Sequence, residues 1–418
     1  MTTDTNTPLS GLDAIDWSAL EHAYGAAGDV PGQLRALCGQ DPAERRRALH
    51  DLYGNIFHQG SRYEASAAAV PFLSRIARHA VLPDRAEVVG LLAALAVGYD
   101  EAHLPGGVNV SGRRREVADF RAKGEAGVRA EYDAWVREAA DDGERRVREM
   151  HRAVLDFARD LRHLEDELAT YDAVRAEVPA LLSLLEDAEP DVRTAAAHAV
   201  AWFPEEAAGT VPHLLRLLER ETEPAVTATA LVAAGLLGDG TIVPVLRPFL
   251  GHERPSAVRW AAATAITEAG CPAQDADACV AVLATLCADE DEPSDHGIPF
   301  HEGDLRGYAA ASLTVLGERH PGEALEAVTS GLSRTSGIAA FAVTSAALRL
   351  AFGDGRPASL PAYTDLTPAQ QRLMRTLASL DDDTWMWGNF LEILRSWGVP
   401  AGREAMRAYT GTTGGQDG

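Results

Sequence analysis

Prolines at a nearly fixed interval constrain this chain more than any other feature. Three segments open on Val-Pro: "VPALLSLLEDAEPDVRTAAAHAVAWF" from Val178, "VPHLLRLLERETEPAVTATALVAAGLL" from Val211 and "VPVLRPFLGHERPSAVRWAAATAI" from Val243. Pro179, Pro212 and Pro244 stand 33 and 32 residues apart, a period that signals stacked supersecondary units. An apolar stripe at helical spacing follows each, as in Leu181, Leu182 and Leu185. A second proline comes 11 or 12 residues later, at Pro190, Pro224 and Pro255, and then Val192, Val226 or Val258 opens an alanine-rich run. Proline suits the first turn of a helix, where its missing N–H would have no partner anyway. The pattern therefore predicts two helices per unit, A then B, each begun by a proline. Alanines on helix B permit close helix approach, while leucines of helix A, Leu182 and Leu215 among them, are expected to face the neighbouring unit. One such hairpin cannot cover both of its apolar faces, so successive units must stack.

With "D-V-R" at Asp191–Arg193 and "A-V-R" ending at Arg259, this pattern resembles the HEAT-repeat family. The resemblance implies an all-α fold, a right-handed α-solenoid of helical hairpins. Weaker copies extend it. "VPGQLRALCGQDPAERRRAL" from Val30 keeps the proline spacing (Pro31, Pro42), and "VPFLSRIA" from Val70 reads as another helix A. Later pairs are "DACVAVLATLC" with "GDLRGYAAASLTVLG", "EALEAVTSGL" with "IAAFAVTSAALRLAF", and "TPAQQRLMRTLASL" with "WGNFLEILRSWG". The expected organisation is a disordered tail at 1–15, repeats over 16–100, and a charged helical insertion over 101–170. Repeats resume over 171–410, with an acidic loop at 289–304, before a second tail at 411–418. The insertion holds 13 basic and 16 acidic residues, so neither sign dominates and it reads as solvated helix.

Composition narrows the function. Apolar residues make up 46% but aromatics only 6%, which leaves alanine, leucine and valine to build a helical core. The formal charge of −24 opposes nucleic-acid binding, which draws on clustered Lys and Arg. The arginine triplets Arg45–Arg47 and Arg113–Arg115 have acids beside them, Glu44, Asp51 and Glu116. A single lysine, Lys123, against 37 arginines reads as the coding bias of a GC-rich bacterial genome. No apolar run reaches the length of a bilayer span and no signal peptide opens the chain, so a cytoplasmic protein is expected. Cys38, Cys271, Cys279 and Cys287 lack metal-site spacing and read as free thiols.

Three stretches carry candidate site residues. "DEDEPSDHGIPFHEGD", Asp289–Asp304, falls between helices A and B of its repeat, where neighbouring units have a short turn. Asp295, His296, His301 and Glu302, with Asp304, comprise two imidazoles and several carboxylates, the ligand types of a non-haem iron site. The same residues suit a partner-binding loop, with Pro299 and Phe300 as its anchor and Asp304 capping the next helix. "LYGNIFHQGSRYEAS" sets His58, Gln59 and Tyr63 between apolar helices as a polar turn or a recognition patch. Trp385 and Trp387 are either a partner hot spot or the cap of the last repeat. No serine or cysteine pairs with a histidine and an acid as a nucleophile requires. The function expected is a non-catalytic scaffold binding another protein, in an adaptor, regulatory or toxin-neutralising role, with no cofactor. The alternative is a HEAT-fold enzyme holding a metal at loop 289–304. Nothing in the sequence sets the oligomeric state.

Overall fold

Proline opens helices, or stands just ahead of them, where its spacing places it, except at Pro71, inside the helix Glu64–Ala77, and at Pro212. The computed structural model describes residues 8–139, 141–289, 296–355, 357 and 360–411. It forms two compact units by internal contact. Unit 1 runs to Tyr99 and resumes over Val108–Glu206, while unit 2 takes Asp100–Gly107 and everything from Ala207.

Unit 1 holds α1 (Val30–Leu37), α2 (Pro42–Asn55), α3 (Glu64–Ala77), α4 (Arg85–Val97) and α5 (Val110–Arg137). It continues with α6 (Asp142–Ala153), α7 (Phe157–Ala176), α8 (Val178–Leu181) and α9 (Pro190–Val200). Two short antiparallel hairpins interrupt the helices: β1 (Glu21–His22) with β2 (Gly25–Ala26), and β3 (Phe57–His58) with β4 (Ser61–Arg62). Helix α3 packs on α4 and α7, and α4 packs on α9. The charged stretch becomes α5, α6 and α7, with α5 broken at Gly124, where φ is 63°. Arg114–Asp172 at 2.5 Å and Arg121–Glu165 at 2.7 Å tie α5 to α7.

Unit 2 is a two-layer stack of helical hairpins, which makes the fold class an all-α solenoid. Its elements are α10 (Ala207–Arg220), α11 (Pro224–Leu237), α12 (Val243–Leu246), α13 (Ser256–Glu268), α14 (Ala273–Ala288) and α15 (Leu305–Leu316). After them come α16 (Pro321–Leu332), α17 (Ala340–Phe352), α18 (Pro368–Ser379), α19 (Asp382–Trp385), α20 (Gly388–Ser396) and α21 (Arg403–Thr410). The B helices form one layer, α11 on α13, α13 on α15 and α15 on α17; α14 and α16 pair in the other. Close approach in the B layer depends on Gly235. A Cβ there would collide with the Cα of Ala265 and stand 2.7 Å from its carbonyl oxygen. No described helix is long and apolar enough to cross a membrane.

Two expectations about helix A need correction. Pro212 does not start a helix but lies inside α10, because the chain is already helical from Ala207. The helix tolerates it at the loss of one backbone hydrogen bond. Leu182 and Leu215 are only half-buried, while Leu181, Leu184, Leu185, Leu214, Leu217 and Leu218 form the core. Leu182 follows Leu181 by one residue, about 100° round the axis, so it leaves the face that Leu181, Leu184 and Leu185 share. In α10 the buried face follows Thr210, Leu214, Leu217 and Leu218, which is ordinary α-helical phase.

Candidate functional site

The acidic stretch is anchored as its apolar residues require. Ile298 and Phe300 are buried, and the Asp304 carboxylate caps α15 by accepting the Gly307 N–H at 2.7 Å. Residues 290–295, and with them Asp295, lie outside the described residues. Between anchor and cap, His301, Glu302 and Gly303 take φ of 54°, 54° and 82°, a left-handed turn of three. Left-handed backbone costs a non-glycine residue roughly 1–2 kcal/mol, so something must hold His301 and Glu302 there. That holder comes from far away in sequence. The 3-10 turn Asp100–His103 lies against Phe300–Gly303, and the Asp100 carboxylate accepts the His301 N–H on both oxygens at 3.2 Å.

This turn forms one wall of a cavity of about 590 Å³ in unit 2. Its floor is apolar: Leu104 and Pro105 from the Asp100–Gly107 segment, Ala311 of α15, Phe341, Ala342 and Ala346 of α17, and Ile393 and Trp397 from the chain's end. Ile338, before α17, sits on the lining with 61% of its surface exposed. Glu101, Glu302 and Asp304 supply carboxylates to the wall. Burial pushes the Glu101 carboxyl up, and repulsion from Asp100 and Glu302 adds to it. The one guanidinium of the lining is Arg349, which is already paired with Asp354 at 2.6 Å. The first turn of α15 meets Ala342, since a Cβ on Gly307 would stand 3.1 Å from that side chain. Arg349 lies two turns further along α17, roughly 10 Å away by helical rise.

Behind the histidine is a second acid. The His301 ring stacks on Tyr308, centroids 6.4 Å apart, with Nδ1 3.7 Å from the Asp304 carboxylate. Tyr308 is fully buried and donates its O–H to Glu268 Oε1. The other oxygen, Oε2, is enclosed without a hydrogen-bond partner, and burial holds the Glu268 carboxyl well above the usual carboxylate range. A folded state that keeps a proton the unfolded chain has lost becomes less stable as pH rises from the unfolded value of about 4.3. Glu268→Gln should therefore gain stability over wild type at pH 8 and show no gain at pH 4. Urea unfolding at the two pH values measures this, and equal differences at both would rule out the buried proton.

The remaining candidates fall elsewhere. His296 lines a small hollow with Arg259, Asp289 and Leu305. His58, Gln59 and Tyr63 belong to unit 1, on and just after the β3–β4 hairpin. His58 Nδ1 is 3.0 Å from the Gly54 carbonyl, Gln59 turns the hairpin with φ of 50°, and Tyr63 is the N-cap residue of α3. The stretch read as an inter-helix turn is thus a two-residue hairpin. Trp385 is buried edge-on against Phe390, whereas Trp387 is 40% exposed beside Phe341, the groove residue. Among the described residues no three His, Cys, Asp or Glu side chains gather as a metal cage. Sequence reasoning missed Glu101, Leu104, Pro105, Ile338, Phe341, Glu268 and Tyr308. The only local hint was the turn-rich "LPGG" beginning at Leu104.

Residues 211–294 match the family model for HEAT repeats. This stretch carries HEAT repeats. That matched HEAT stretch opens inside α10 and takes in α11 through α14. The crystal structure of an engineered protein aligns over 93% of this chain and 100% of its own, at 18% identity and a TM-score of 0.28. No curated protein matches the chain.

Proposed function

We propose that the chain is a non-catalytic HEAT-repeat scaffold that docks another protein in the unit 2 groove, in an adaptor, regulatory or toxin-neutralising role. HEAT repeats typically serve as protein-interaction scaffolds. The observation that carries the reading for this chain is the groove itself, an apolar floor left open with Ile338 largely exposed at its edge. Exposed apolar surface bordered by polar groups marks interaction sites on otherwise polar proteins. A formal charge of −24 favours a protein partner over a nucleic acid. Free Cys38, Cys271, Cys279 and Cys287 suit a reducing compartment, the cytoplasm. A photo-crosslinking amino acid at position 338, expressed in the native host, should give a discrete protein adduct. The same residue at Val154, 66% exposed in unit 1, serves as the control. Equal labelling at both positions, or none at 338, would remove the groove as the docking surface.

A further inference from the structure

We infer that the groove takes a partner segment in which a lysine or arginine stands close to a large apolar side chain, the cation seated on Glu101 and Glu302 and the apolar group on the floor. The inference rests on the scaffold reading and adds the chemistry of what docks. Charge complementarity carries it. Three carboxylates, Glu101, Glu302 and Asp304, share the lining with a single guanidinium, Arg349, and Asp354 already neutralises that one. Asp304 is committed to capping α15 and lies near His301. Both Glu101 and Glu302 reach solvent, Glu302 lies close enough to repel the Glu101 carboxylate, and neither has a Lys or Arg partner among the described residues. A cation placed between them would relieve that repulsion and gain charge-assisted hydrogen bonds.

The neighbouring surface argues for a side chain on a peptide rather than a free small molecule. Small-ligand sites bury most of their occupant. Here Ile338, Arg349 and Glu302 are all exposed on the lining, so an occupant touching floor and acids extends out to solvent. The distance along α17 from Ala342 to Arg349, roughly 10 Å by helical rise, leaves room for the three or four extended residues that would link a cationic and an apolar contact.

The test pans a phage-displayed library of random dodecapeptides on the full chain at low salt, in parallel on E101Q/E302Q and on I338S. All three substituted residues are exposed, so the variants should fold, and circular dichroism verifies it. Peptides enriched on the wild type should carry Lys or Arg within about four residues of Leu, Met, Phe or Trp, and should not enrich on E101Q/E302Q. A synthetic copy of the leading peptide should bind E101Q/E302Q about ten-fold more weakly, the scale of a lost charged hydrogen bond. Acetylating its lysine should cost the same on the wild type and nothing further on E101Q/E302Q, because one contact cannot be lost twice. Enriched peptides without basic residues, or basic ones that bind E101Q/E302Q unchanged, overturn the inference and leave the scaffold reading in place. Binding that also ignores I338S overturns the groove itself, and so does a failure to enrich any peptide.

Discussion

Trp260→Ala should destabilise unit 2 by roughly 3–5 kcal/mol, the range for truncating a buried aromatic. Trp260 is fully enclosed in the middle of α13, which packs on α11, α14 and α15. Its ring stands edge-on to Tyr308, centroids 5.5 Å apart, so the cavity left behind would open beneath the residue on which His301 stacks. One effect runs the other way. The indole N–H is buried without a partner, and its removal relieves a desolvation cost of about 1–3 kcal/mol. Trp260→Phe isolates this, since it drops the N–H while keeping a ring, and should cost far less than the alanine variant. Urea unfolding gives the totals, and hydrogen exchange locates them, with protection lost in α11, α13 and α15 while α3 and α4 of unit 1 keep theirs. A Phe variant as unstable as the Ala variant would mean that indole shape, not enclosed volume, sets the cost.

What could be read from the sequence is what local chemistry decides. Pro190 and Pro224 stand at the first residue of a B helix and Pro255 just ahead of one, because proline's fixed φ and absent N–H suit those positions wherever the chain goes next. Asp304 caps α15 for an equally local reason, and Phe300 is buried because a large apolar ring in a charged loop has little alternative. Cys279 and Cys287 are buried free thiols on α14, as a helical setting suggested, while Cys271 is a buried free thiol two residues ahead of that helix. The groove was not legible, since it depends on pairings across the chain. Asp100 meets His301 at a separation of 201 residues, and Glu268 meets Tyr308 at 40. Neither leaves a mark on local periodicity. Tyr308 reads simply as one more apolar position in "LRGYAAASL", and nothing in that string announces that its hydroxyl has an acid to serve. Leu182 and Leu215 failed for a smaller reason: each sits one residue round the axis from a buried leucine, and the string of apolar letters does not say which neighbour faces in.

Arg85→Ala should cost unit 1 about as much as Trp260→Ala costs unit 2, and its loss should depend on pH. The Arg85 guanidinium holds the Asp187 carboxylate through two hydrogen bonds of 2.6 and 2.8 Å, with the side chains 7% and 14% exposed. Asp187 also accepts the Glu189 N–H at 3.0 Å, while its own carbonyl accepts from Arg193 at 2.8 Å, so this acid organises the turn that leads into α9. Removing one partner of a buried pair leaves the other charged, enclosed and unpaired, which typically costs 3–5 kcal/mol. The hydrogen bonds from Arg85 hold the Asp187 carboxyl below its ordinary value. With the folded value lowered, the unfolded chain binds the proton first as pH falls. The pair's contribution is therefore complete above the unfolded value of about 3.9 and drains away in acid below it. The gap between wild type and Arg85→Ala should accordingly be widest near pH 7 and close as pH drops towards 3. Asp187→Asn in the Arg85→Ala background should recover part of the loss at pH 7, because it removes the stranded charge and keeps an acceptor for the Glu189 N–H. Denaturant midpoints across pH 3–7 check this. A gap of constant size would show that Arg85 acts through the packing of its stem rather than through its charge.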